Sequence, residues 1–239
     1  MAEPQLFHAA PLRRAIETLV MAGGSEAREA KIVAENLVAA NLTGHDSHGI
    51  GMIPRYVASL REGGLLPNRH PAVKFDGGAM LALDGQAGYG QVIGLEAMEI
   101  GIERAKQTGV CVMALANVHH LCRIGQWAEQ AVAKGLVSLH FVNVISRSIV
   151  APFGGTDARF GTNPVTIGIP LAGQAPFILD MATSNVAQGK IRVAHNKGET
   201  LAPGLLLDDQ GQPTTDPRFG VIPPYGALTT FGAHKGYGL

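Results

Sequence analysis

Apolar residues recur at three- and four-residue steps through the first quarter of the chain, then give way to short apolar runs set between glycines. Leu12, Ile16, Leu19 and Val20 form one such set, Ile32, Val33 and Leu37 a second, and Tyr56, Val57 and Leu60 a third, which predicts helical structure over residues 10–66. Pro67 and Pro71 close that region. Beyond it, Met80–Leu83, Val110–Leu115, Val137–Val142, Val165–Ile169 and Phe177–Leu179 read as strands, and 91–108 and 124–134 as helices stopped by Gly109 and Gly135. Strands alternating with helices give an α/β class with a helical N-terminal portion, divided as residues 1–70 and 71–239. The stretch from Leu201 to Pro224, rich in Pro, Gly, Asp and Thr, reads as an ordered excursion outside the core.

Composition narrows the classes. With 239 residues, 46% of them hydrophobic and 16% charged, the chain can bury a substantial core in one or two domains. Nineteen basic residues balance nineteen acidic ones without a run of Lys or Arg, which argues against a nucleic-acid partner. Cys111 and Cys122 have neither disulfide-framework nor zinc-site spacing, and a reduced, cytoplasmic protein is expected. Neither a signal-type apolar segment nor a membrane-length one is present in the sequence.

The densest chemistry lies at Gly44-His45-Asp46-Ser47-His48-Gly49-Ile50-Gly51, where two imidazoles, a carboxylate and a hydroxyl follow a helical segment. A group titrating near neutrality at an exposed helix end suits proton transfer, although Asp46 and Ser47 also suit simple capping. Gly88-Tyr89-Gly90-Gln91-Val92-Ile93-Gly94 joins a strand to a helix, but its spacing and the missing acidic residue downstream favour a tight turn over a dinucleotide site. Asn117-Val118-His119-His120-Leu121-Cys122-Arg123-Ile124-Gly125 follows a strand; there Arg123 could hold a phosphate or form a surface ion pair, and two adjacent histidines make a poor metal site. Phe160-Gly161-Thr162-Asn163-Pro164 and Asp180-Met181-Ala182-Thr183-Ser184-Asn185 bring small and hydroxyl residues to strand ends, where a nucleotide could approach closely or the chain could simply turn. Near the last residue, His234 and Lys235 sit among glycines.

Taken together, GHDSHGIGMIPRYV at 44–57, GQVIGLEAM at 90–98, HHLCRIGQWAEQ at 119–130, RFGTNP at 159–164, LDMATS at 179–184 and HKGYGL at 234–239 resemble the malate/L-lactate dehydrogenase family, also called malate/sulfolactate dehydrogenases, over essentially the whole chain. The resemblance implies a mixed sheet flanked by helices that binds NAD or NADP without a Rossmann fold, a homodimer, and hydride transfer between the cofactor and a 2-oxo or 2-hydroxy acid. By the same likeness His48 is the proton donor and acceptor, and also touches the cofactor. Cys122, Arg123, Ile124, Ile178, Leu179, Asp180, Met181, Ala182 and His234 would be further cofactor contacts. Two positions depart from the family's pattern. Met52 stands where many members carry an arginine suited to the substrate carboxylate, leaving cyclic imino acids, ureidoglycolate and sulfolactate open as substrates; Cys122 replaces a glycine and is expected to add bulk on the cofactor side. Members of the family continue beyond GYGL, so the chain reads as the leading part of a longer protein.

Overall fold

The computed structural model describes residues 6–234, which fall into two compact units, Ala2–Leu136 and Val137–Leu239. The motif residues Lys235–Leu239 lie outside the described residues. In the first unit α1 (Ala9–Ala22) and α2 (Ala27–Leu42) pack against each other, and α3 (Ile53–Glu62) follows after two short 3-10 turns, Asp46–His48 and Ile50–Met52. The predicted helical stretch is thus three helices, interrupted where the His-rich segment lies. Pro54 in the first turn of α3 and Gly63, left-handed at φ 73°, mark that helix's two ends.

β1 (Ala72–Gly77) runs antiparallel to β2 (Met80–Asp84), and β2 pairs in parallel with β3 (Val112–Ala116) through the crossover helix α4 (Gly90–Thr108). This is a small mixed sheet. Leu81 and Leu83 are buried on one face while Met80 and Val112, cross-strand partners, are exposed on the other. α5 (Gly125–Val132) completes the unit. Residues of α1, α2 and α3 share one core with Leu65, Tyr89, Val92 and Cys122, so the helical portion is built into the same unit as the first sheet. Where the sequence suggested a division near residue 70, this unit runs on to Leu136.

The second unit holds an antiparallel sheet of β4 (Ser138–Phe141), β5 (Val165–Ile169) and β6 (Phe177–Met181), the helix α6 (Gln188–Lys197), and a smaller sheet of β7 (Leu206–Leu207), β8 (Pro213–Thr214) and β9 (Ala227–Leu228). Its core joins Val150, Ile191, Leu206, Phe219 and Leu228. The 201–224 segment therefore corrects its sequence reading: Leu206 is fully buried and Phe219 nearly so, because sparse apolar residues between the turns point at α6. Among the described residues no helix is long and apolar enough to cross a membrane.

Candidate active site

In the first unit the His-rich segment is a folded corner. Asn41, at the end of α2, receives the Ile50 amide hydrogen on Oδ1 at 2.9 Å and donates from Nδ2 to Asp46 at 2.5 Å, tying both sides of the corner together. Gly49 is buried against this clamp: a Cβ there would lie 2.1 Å from Asn41 Oδ1. The glycine supplies space for a neighbouring side chain. Asp46 is thus engaged with Asn41, and Ser47 Oγ lies 2.8 Å from His48 Nδ1, so the two polar residues serve the corner and its imidazole rather than capping a helix.

The half-buried His48 ring stacks on His120, centroids 5.4 Å apart and planes 21° from parallel. Sequence distance hid this pair. His120 comes from the loop after β3, which is pressed onto the N-terminus of α4: a Cβ on Gly90 would meet the His120 carbonyl oxygen at 2.1 Å. Gly94 is packed in the same way against the Trp127 ring, and Gly88 against Arg69 and Ile93. The glycines of the GYGQVIG turn thus serve close packing of protein on protein, in keeping with a tight turn.

His119 and His120 take different partners. His119 Nε2 lies 3.1 Å from Ser59 Oγ, whereas His120 Nδ1 lies 2.9 Å from the Tyr56 hydroxyl. Tyr56 in turn is 3.3 Å from Cys122 Sγ, and Gln91 Nε2 donates to both, at 2.8 Å to the hydroxyl and 2.9 Å to the sulfur. Burial dominates the protonation of this cluster. It lowers His120 to about 3, with the facing His48 and His119 adding to the effect. It raises Cys122 to about 12 and Tyr56 well above the ordinary tyrosine value, and it lowers His119. The site accordingly holds a neutral His120, a neutral phenol and a thiol.

Tyr56 and Gln91 were not singled out by sequence. Each is a polar group at an apolar-spaced helical position, a signal too common to mark a site. Cys122, with φ at 60° and 4% exposed, is part of the core of the first unit. Arg123 forms a two-pronged ion pair with Glu129, at 2.8 and 2.7 Å, and Ile124 is buried. Met52 is partly buried and packs, like Ile50 and Ile53, against the helical core.

The remaining candidates lie in the second unit. Ile178, Leu179, Asp180 and Met181 are half-buried along β6, followed by the half-buried Ala182. Asp180 accepts from Thr166 Oγ1 at 2.7 Å. Thr183 donates its hydroxyl to the Asn163 carbonyl at 2.9 Å, and Asn163 Oδ1 accepts from the Val144 amide at 2.9 Å, so the two hydroxyl-rich strand ends are laced to each other. The exposed His234 meets the Phe153 ring edge-on at 5.8 Å.

A family described as malate/L-lactate dehydrogenase matches residues 7–239. The chain belongs to this family. It is 51% identical to hydroxycarboxylate dehydrogenase B of Escherichia coli O157:H7 over 233 residues, which is 98% of this chain and 64% of that protein. It is 42% identical to an L-lactate dehydrogenase of Cupriavidus necator, over 87% of this chain and 60% of that one. Among solved structures, one described as a putative malate/lactate dehydrogenase from E. coli superposes with a TM-score of 0.96 at 49% identity, covering 98% of this chain and 66% of its own. The chain spans just under two thirds of the length of these relatives.

Proposed function

We propose that this chain belongs to an NAD- or NADP-dependent oxidoreductase that interconverts 2-oxo acids and 2-hydroxycarboxylates, acting in the cytoplasm as a homodimer. The observation that carries the reading is the stacked pair His48–His120 in a member of this family. Reduction of a ketone by hydride leaves an alkoxide, which needs one proton from the protein. His48 is the group to give it. Its Nδ1 lies within hydrogen-bond distance of the Ser47 hydroxyl, which orients the ring. The neighbour His120 stays neutral, so His48 can take up a proton without a cation stacked on its face.

The nicotinamide dinucleotide would supply the hydride. The residues proposed as its contacts are His48, Cys122, Arg123 and Ile124 of the first unit and Ile178, Leu179, Asp180, Met181, Ala182 and His234 of the second. One feature of the residues present fits such a group: β6 offers half-buried apolar side chains suited to an aromatic ring. Arg123 contributes chiefly through the Glu129 pair that stiffens the loop. Met52 in place of a guanidinium favours 2-oxo acids with a large apolar or aromatic tail over dicarboxylates.

The test is a pair of substitutions followed by NAD(P)H absorbance on a panel of 2-oxo acids and cyclic imines. His48→Ala should cut turnover by about 10²–10⁴-fold with cofactor affinity little changed, and His45→Ala should do far less. Equal losses from the two, in folded protein, would remove His48 from the proposed role. Reduction of imines alone would redirect the substrate class.

A further inference from the structure

The hydrogens shared by Gln91, Tyr56, Cys122 and His120 can be placed one by one. The Gln91 amide nitrogen only donates, and its two hydrogens go to the Tyr56 oxygen and the Cys122 sulfur. The Tyr56 hydroxyl thus already accepts, and its single hydrogen has two destinations: His120 Nδ1 at 2.9 Å or Cys122 Sγ at 3.3 Å. Sulfur is a weak acceptor and already takes a hydrogen from Gln91, whereas an imidazole nitrogen is a strong one. Phenol hydrogen to Nδ1 also lets the thiol hydrogen point at the Tyr56 oxygen. The reverse placement, with hydrogen on Nδ1, sends the phenol hydrogen to the weaker acceptor, sulfur, and leaves the thiol hydrogen only the His120 carbonyl, 3.9 Å from Sγ. Tyr56, Gln91 and Cys122 are 2%, 1% and 4% exposed, so water cannot rescue that arrangement.

We propose that Tyr56, backed by Gln91 and Cys122, locks His120 in the tautomer that carries its hydrogen on Nε2, and so acts as a positioning residue for the imidazole pair. A neutral ring whose Nδ1 accepts must hold its hydrogen on the other nitrogen. His120 then presents a fixed, uncharged N–H donor beside His48. The catalytic consequence rests on the dehydrogenase reading; the tautomer does not.

The deciding measurement is a long-range ¹H–¹⁵N spectrum at pH 7 of protein labelled with ¹⁵N in histidine, with His120 assigned by the signal lost in His120→Asn. The expected wild-type pattern is a protonated-type Nε2 and an unprotonated-type Nδ1. Tyr56→Phe should pull both nitrogens toward averaged values. It should also lower kcat for a 2-oxo acid by roughly 10–100-fold, the usual range for losing a group that orients a working histidine, with KM changed far less. A wild-type Nδ1–H pattern, or one unmoved by Tyr56→Phe, overturns the proposal. If Tyr56→Phe does not fold, the wild-type spectrum alone decides. Protein that turns over no oxo acid yet shows the Nε2–H pattern would refute the dehydrogenase reading and leave the lock standing.

Discussion

Gly49 shows how a single missing side chain can serve chemistry two residues wide. It is tucked beneath the Asn41 amide, which in turn bonds the Ile50 backbone and the Asp46 carboxylate on either side of His48. Gly49→Ala would drive a methyl into that amide, and overpacking of this kind costs about 1–3 kcal/mol. The expected result is a lowered Tm together with a loss of turnover, since the corner bearing His48 must shift; circular dichroism melts beside NAD(P)H assays read both. An unaltered Tm would mean that Asn41 can move aside freely. The tandem of two histidines with Ser and Asp stood out in sequence as a candidate for proton transfer. Its dependence on Asn41, and the stacking partner His120, were not, because both rest on contacts that no local pattern encodes.

At the scale of elements, the long helix α4 illustrates what periodicity can and cannot reveal. Its span and its left-handed stop at Gly109, φ 82°, followed from apolar spacing and a terminal glycine. Its close approach to α5 did not, since Gly94 reads in sequence as part of a turn motif. A Cβ at that position would lie 2.6–2.9 Å from three carbons of the Trp127 indole. Gly94→Ala therefore should destabilise the first unit by about 1–3 kcal/mol, despite alanine's better helix propensity of about 1 kcal/mol. A higher Tm in thermal melts would show that propensity wins. Two elements escaped sequence reading for distinct reasons. β1 alternates Val73 and Phe75 with Lys74 and Asp76, but all four are exposed, so no buried face marks it. α6, with the sequence QGKIRVAHNK, buries only Ile191 and Ala194, too thin a stripe to register.

For the whole molecule, buried neutral histidines set a sign for its response to acid. His120 is lowered to about 3 from an ordinary 6.5, and burial lowers His119 and His140 as well. An unfolded chain binds these protons as pH falls below about 6.5, while the folded chain refuses the one on His120 until near pH 3. The contribution of His120 to stability is therefore complete above pH 6.5 and is withdrawn progressively between 6.5 and 3, at up to about 1.4 kcal/mol per pH unit, and His119 and His140 act in the same direction. Denaturant midpoints should fall steadily from pH 7 to pH 4, and His120→Asn should flatten that slope. A midpoint independent of pH over this range would contradict a neutral buried His120. The α/β class and the helical opening were legible along the whole chain. The core contributed by 201–224 was not, because Leu206 and Phe219 stand alone among turn residues and find neighbours only in the folded unit.

The indole of Trp127 donates its N–H to the Leu121 carbonyl at 3.1 Å, and the chain contains one tryptophan. It is 4% exposed, so its emission reports a protein environment rather than bulk water. Leu121 lies between His120 and the Cys122–Ile124 loop proposed to meet the dinucleotide. The molecule thus carries an optical probe wired to that loop by one hydrogen bond. Any ligand that reshapes residues 119–124 should change the intensity or wavelength of this lone emitter, and reduced nicotinamide, which absorbs where tryptophan emits, should quench it by energy transfer. Binding at the loop can therefore be titrated in protein that has been stripped of turnover by His48→Ala, which separates occupancy from chemistry without any added label.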